Sequence, residues 1–166
     1  MLQHENTETT KNSESKFVIF DLDNTLRDNK GSKHVIPTEL GLSMNVAANW
    51  APWQHYVNEN SPTIPYMASF YMLMCTTPNT EVWIITSSSF GTSEWLKKYG
   101  LPEPTFIHER SITDNRKPQE YKESVVAGME NTIDLWVDDC PRMCNKMRKE
   151  GVKVLQVTHN HYEHQD

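Results

Sequence analysis

Three acidic or hydroxyl-bearing stretches in this chain each follow an apolar run. FVIFDLDNTL, residues 17–26, runs four apolar residues into Asp21 and Asp23, with Thr25 two positions later. VWIIT, residues 82–86, ends at Thr86 and continues as Ser87, Ser88 and Ser89. DLWVD, residues 134–138, ends at Asp138 and is followed by Asp139. If the three ends meet, Asp21, Asp23 and Asp138, with Asp139 nearby, crowd carboxylates into one place. Their mutual repulsion raises proton affinity unless a cation neutralises them. A hard divalent ion with oxygen ligands answers this, and magnesium takes one or two carboxylates plus phosphate and water. Thr86 and Ser87 offer hydroxyl and N–H groups to a phosphate oxygen, and Lys117 and Lys122 could complete an anion pocket. Acids, metal, hydroxyl and lysine together suit phosphoryl transfer, which depends on positioning and charge neutralisation. In that chemistry Asp21 could attack phosphorus. Asp23, pointing another way as the strand ends, could protonate the leaving oxygen and then activate water.

Each stretch alone has a plainer reading. Two acids around one residue at a strand end often make a turn or cap. Asp138-Asp139-Cys140-Pro141 can simply open a helix, and a serine run is usually a loop. What joins them is that each closes a predicted strand. The five predicted strands are 17–21, 81–86, 105–108, 133–138 and 152–157. Most are continuously apolar, as in strands covered on both faces. Helical spacing falls between them, over 63–76, over 92–99 with Thr92 or Ser93 as cap and Gly100 as stop, over 118–129 from Pro118, and from Pro141 to Gly151. Strands alternating with helices predict an α/β fold with a mostly parallel sheet. Ligands of such sheets sit at the carboxyl ends of the strands, where all three stretches would lie. Residues 27–62 break the alternation and read as a flap or lid over that edge, with a short helix near 50–57.

The rest of the composition narrows the field. The 166 residues predict one domain, 16–158, between a polar, disordered tail at 1–15 and a C-terminal tail at 159–166. A net charge of −6 argues against an extended nucleic-acid-binding surface but not against one phosphate site. The three cysteines, Cys75, Cys140 and Cys144, show no framework spacing and read as reduced thiols. With no secretory signal and no membrane-length apolar run, a cytoplasmic protein is expected, in the host cytoplasm were it phage-encoded. His159, His161 and His164 read as a solvated terminus, and Cys140 with Cys144 as packing and not zinc. No GxxxxGK[ST] loop is present, so kinase activity is not expected.

The chain resembles the haloacid dehalogenase superfamily of phosphohydrolases over about residues 16–158. The first motif stands as Asp21-Leu22-Asp23-Asn24-Thr25, the second as Thr86, and the fourth as Asp138-Asp139. Within the superfamily it looks most like the 3′-phosphatase domain of polynucleotide kinases and related phage-type phosphatases. Asp114-Asn115-Arg116-Lys117 followed by Lys122, residues 138–152, and Val154 to Val157 carry that likeness. The resemblance implies a Rossmann-like parallel sheet of order 5-4-1-2-3 with a small cap. It also implies Asp21 as nucleophile and Asp23 as acid and base. Mg2+ would be held by Asp21, Asp23 and Asp138 with Thr25 and Asp139 in support, and Thr86 would bind phosphate. The third-motif lysine is Lys122 or Lys117, with Lys122 preferred and Lys117 kept as a contact. Relatives often carry arginine where Ser88 stands, and Arg27, Arg110 or Arg116 could supply that charge.

The flap sequence NWAPWQHY places Trp50, Trp53 and Tyr56 within seven residues. They either pack the flap on the core or stack on a base. With the resemblance, this favours a nucleotide or nucleic-acid 3′-phosphate end as substrate. A 5′-nucleotidase on free mononucleotides and a non-catalytic phosphate-end binder are the competing readings. Oligomeric state is not legible in the sequence.

Overall fold

A computed structural model describes residues 15–158. The two tails, including His159, His161 and His164, lie outside the described residues. Five strands, β1 (Lys16–Phe20), β2 (Thr80–Thr86), β3 (Phe106–Glu109), β4 (Leu135–Asp138) and β5 (Lys153–Gln156), form one parallel sheet of order β3-β2-β1-β4-β5. This is the expected order read from the other edge. Phe20 pairs with Ile84 on one side and Val137 on the other, so β1 is the central strand and the loop after it opens between two neighbours.

Five helices accompany the sheet: α1 (Ala51–Asn60), α2 (Pro65–Thr76), α3 (Thr92–Lys98), α4 (Pro118–Ala127) and α5 (Pro141–Lys149). The period-two geometry of a strand sends alternate side chains to opposite faces. On β1, Val18 and Phe20 join Met67 and Tyr71 of α2 and Trp95 and Leu96 of α3 in one core. Phe17 and Ile19 join Tyr121 of α4 and Met143 and Met147 of α5 in the other. Both faces are therefore covered, which is why the strands read as unbroken apolar runs. Pro118 and Pro141 stand at the first turns of α4 and α5, where a missing N–H costs nothing.

Helix α3 begins differently from the expected hydroxyl cap. Gly91 is the cap residue, with φ +86°, and Thr92 is already inside the helix. Glu109 at the end of β3 accepts the Thr92 N–H at 2.9 Å, doing the work a cap side chain would do.

The 27–62 segment is not an irregular loop. It contains three single-turn 3-10 segments, at Lys33–Val35, Pro37–Leu40 and Ala47–Trp50, and then α1. It leaves and returns on a short antiparallel stem. Asp28 N–H donates to the Pro62 carbonyl at 2.8 Å, and Ile64 N–H to the Leu26 carbonyl at 2.8 Å. Among the described residues no helix is long and apolar enough to cross a membrane.

Candidate active site

The turn after β1 explains the spacing of its polar residues. Asn24 has φ +60°, a left-handed conformation that asparagine tolerates better than most residues. The chain folds back, and Leu26 and Arg27 N–H groups both reach the Leu22 carbonyl, at 2.9 and 3.0 Å. Residues four apart are thereby returned onto each other. Thr25 Oγ1 donates to Asp21 Oδ2 at 3.1 Å. Arg27 Nε and one terminal nitrogen donate to Asp23 Oδ1 at 2.9 and 2.7 Å.

Lys122, one turn into α4, projects under the sheet edge. Its Nζ lies 2.8 Å from Asp21 Oδ1 and 2.8 Å from Asp138 Oδ2, and all three side chains are buried. Asp138 is held further by Trp136 Nε1 at 3.2 Å and by the Cys140 N–H at 2.8 Å. Asp21, Asp138 and Asp139 bring carboxylate oxygens within 4.8 Å of one another. Burial is the largest influence on Asp21 and raises its pKa well above the ordinary value. Lys122 pulls the other way, and Asp138, Asp139 and Asp23 add to the rise. For Lys122, burial opposes the charge but Asp138 and Asp21 outweigh it, so the ammonium is held.

Asp23 occupies a separate pocket. Burial pushes its pKa up, but Arg27, Asn29 and Ser88 together bring it below the ordinary value. Asn29 Nδ2 and Ser88 Oγ reach it at 2.8 and 2.7 Å. Thr86 Oγ1 stands 3.5 Å from Asp23 Oδ2 and accepts the Ser88 N–H at 3.1 Å. Asp23 was expected beside Asp21 and Asp138 as a metal ligand. Its carboxylate is held by Arg27, Asn29 and Ser88, and the carboxylate that clusters with those of Asp21 and Asp138 is Asp139.

Beside Asp23 opens a cavity of about 420 Å3 lined by Trp50, Trp53, Ser87, Ser88, Arg110 and Lys117 among others. The two indoles meet edge to face, with ring centres 5.5 Å apart. Their N–H groups are engaged by the Met44 carbonyl and Ser32 Oγ, at 3.0 and 2.8 Å. Tyr56 instead packs against His34. Helix α1 is tied to the loop after β2, since Gln54 Oε1 accepts the Ser89 N–H at 2.7 Å and Asn58 Nδ2 donates to the Phe90 carbonyl at 3.1 Å.

The three candidate arginines separate. Arg27 is wholly buried and absent from the cavity wall; its nitrogens serve Asp23, Ser88 and Asn58. Arg116 reaches the cavity wall but commits its guanidinium to Asp114 and Ser124. Arg110 is buried on the wall with one bond, to the Arg116 carbonyl at 2.7 Å. Lys117 stays exposed at the start of α4, so Lys122 is the lysine that meets the carboxylates. Cys144 is buried with Sγ 3.4 Å from the Asp138 carbonyl. Sequence reasoning missed Asn29, Gln54 and Asn58. The only signal for their neighbourhood was the four-residue spacing of Asp23 and Arg27.

No family model matches the sequence, and no curated protein matches it by sequence. Solved structures do match by fold. A chain of the Pnkp1/Rnl/Hen1 complex superposes with a TM-score of 0.65 at 17% identity, over 95% of this chain and 52% of that one. A chain of the Pnkp1/Rnl/Hen1 RNA repair complex gives 0.67 at 17% identity, over 89% and 44%. A haloacid dehalogenase-like family hydrolase from Streptococcus pneumoniae gives 0.57 at 13% identity, over 85% and 83%. This chain thus spans about half the length of the first two. The fold is the Rossmann-like haloacid dehalogenase fold.

Proposed function

We propose that the chain is a magnesium-dependent phosphomonoesterase that works through an aspartyl phosphate on Asp21, acting on a 3′-phosphate end of a nucleotide or nucleic acid. One observation carries the reading. Lys122 Nζ stands 2.8 Å from both Asp138, 16 residues on, and Asp21, which comes from the far end of the domain, and Asp139 completes a buried carboxylate trio. A structural ion pair needs one acid; two buried acids, Asp21 and Asp138, sharing one lysine leave excess negative charge under the sheet edge.

That excess fits a hard dication. Asp21, Asp138 and Asp139 would hold Mg2+, whose oxygen-only preference matches the donor set. When bound, the ion supplies charge neutralisation for the dianionic ester and its transition state. The chain's own residues do the rest. The Thr25 hydroxyl and Lys122 orient the Asp21 carboxylate for in-line attack. Lys122 and Thr86 flank the place where a phosphoryl group on Asp21 would lie. Asp23 is held away from Asp21 by Arg27, where it can reach the leaving oxygen. It rests as a carboxylate, the form that takes a proton from water in the second half-reaction. An approaching phosphate dianion raises its proton affinity and loads it for the first.

The nucleotide side of the reading rests on the indole-lined cavity beside Asp23 and on fold likeness to a chain of an RNA repair complex. The decisive experiment measures phosphate release from p-nitrophenyl phosphate with and without Mg2+, for the native chain and Asp21→Asn. Magnesium-dependent release that Asp21→Asn abolishes is expected; release unchanged in that variant refutes the mechanism. A panel of a 3′-phosphorylated oligonucleotide against 3′- and 5′-mononucleotides then assigns the substrate. Preference for the 5′-mononucleotide refutes the end-phosphatase reading.

A further inference from the structure

Among the described residues three cationic side chains are buried near the strand ends: Arg27, Lys122 and Arg110. A buried charge without an opposite partner is costly, so proteins almost always pair it. Arg27 has Asp23, and Lys122 has Asp21 and Asp138. Arg110, only 7% exposed, forms no ion pair among the described residues, and its Nε has no hydrogen-bond partner. Asp114 is near, but Arg116 takes both of its oxygens, at 3.0 and 2.5 Å. Arg110, which feels the Asp114 charge only from beyond ion-pair distance, is therefore the cation of the set without an ion pair of its own, and it lines the indole cavity.

Its position separates it from the reacting phosphate. The Arg110 N–H donates to the Ser88 carbonyl at 3.0 Å, at the end of β3. Sheet order puts that end two strands from Asp21, roughly 10 Å across at the usual strand spacing. The Ser88–Asp23 hydrogen bond lies between. Lys122 already serves the near side of the site. The cavity wall that carries Arg110 also carries Trp50 and Trp53 and reaches Asp23.

We propose that Arg110 is the contact for a second phosphate, one nucleoside away from the phosphate removed at Asp21. The ligand is a nucleotide carrying phosphates on both sides of its sugar, the smallest fragment of a 3′-phosphorylated strand end. Its base occupies the Trp50–Trp53 cavity, and its 5′-phosphate supplies the anion that Arg110 lacks. This rests on the end-phosphatase reading above and sharpens it, because a free nucleoside monophosphate leaves Arg110 unmatched.

The test compares kcat/KM for adenosine 3′,5′-bisphosphate and adenosine 3′-monophosphate in the native chain, in Arg110→Gln and in Arg110→Lys. A charge-assisted contact predicts a preference of about 10-fold or more for the bisphosphate. Arg110→Gln brings the ratio near one, and Arg110→Lys restores part of it. The ratio does not depend on the fraction of correctly folded protein. No preference in the native chain overturns the proposal. So does an equal loss on both substrates in Arg110→Gln, which would put Arg110 on the transferred phosphate. If p-nitrophenyl phosphate is hydrolysed and neither nucleotide is, the end-phosphatase reading falls. Inhibition of that hydrolysis by the two nucleotides then tests Arg110 alone. About 10-fold tighter inhibition by the bisphosphate supports it, and equal inhibition overturns it.

Discussion

Replacing Lys122 with methionine tests the charge arrangement on which the site depends. The substitution keeps the length and apolar stem of the side chain but removes the one ammonium bonded to Asp21 and Asp138. Asp21 and Asp138 then face each other without the ammonium that joined them. Removing one partner of a buried pair costs about 3–5 kcal/mol, because the charge left behind is neither solvated nor matched. For a domain of this size that is roughly 6–20 °C in Tm. The pH dependence has a definite sign. Burial and neighbouring acids already raise Asp21 above its unfolded value, and losing Lys122 raises it further. A raised acid binds more protons folded than unfolded, so stability falls as pH rises above the unfolded pKa, about 3.9. The deficit of Lys122→Met should be full at pH 8 and shrink towards pH 5. Magnesium should offset it too, by about 2.7 kcal/mol at a hundredfold excess over Kd, and its shift should exceed that in the native chain because the lysine no longer competes. Calorimetric melts at pH 5 and pH 8, in EDTA and in Mg2+, read all of this. A deficit equal at both pH values and indifferent to Mg2+ would show lost packing alone, and the carboxylate argument would fail.

Two further outcomes follow from the Asp23 pocket. Arg27→Met leaves Asp23 buried without its guanidinium and should cost about 3–5 kcal/mol in urea unfolding at pH 7; because the native pairing lowers the Asp23 pKa, the stability it contributes is present above about pH 4 and lost as pH falls below, so native chain and variant should converge in acid. Gly91→Ala should destabilise by about 1–3 kcal/mol, since the position has φ +86° and the new methyl group would run into the Asn58 side chain that bonds Arg27; Asn58→Ala combined with it should relieve part of that cost, and a strictly additive double variant would refute the clash.

Much of the fold could be read from the chain because a doubly covered parallel strand has a plain signature. Phe17 to Phe20 and Val82 to Ile85 are apolar at every position, since the helices on both faces demand it. The acids were legible for the complementary reason: Asp21 and Asp138 end such runs, where nothing apolar remains to face. The flap was not legible. Its 3-10 turns have no apolar period of their own, and α1 buries only Gln54 and Val57, one of them polar. Gln54 is inside because it accepts the Ser89 N–H, a contact between residues 35 apart that local sequence cannot announce. The hydroxyl cap expected for α3 went wrong through the same long-range effect. Glu109 on β3 satisfies the Thr92 N–H, leaving Gly91 free to turn close against Asn58.

Arg27 shows why residue type underdetermined the site. An arginine near two acids reads equally well as a hand for substrate and as a clamp for the protein. The backbone decides between them. Asn24 in the left-handed region folds residues 22–27 tightly enough that Arg27 points inward at Asp23, and the stem pairing of Asp28 with Pro62 brings Asn58 over the guanidinium. All three of its nitrogens are bonded to protein, and the side chain is wholly buried away from the cavity wall, out of an incoming anion's reach. Arg116 is exposed and already ion-paired with Asp114, with Ser124 on a further nitrogen. Among the described residues, Arg110 alone of the three combines a place on the cavity wall with a buried nitrogen that has no hydrogen-bond partner. The proposed second phosphate would therefore fall to Arg110, the buried wall cation without an ion pair of its own.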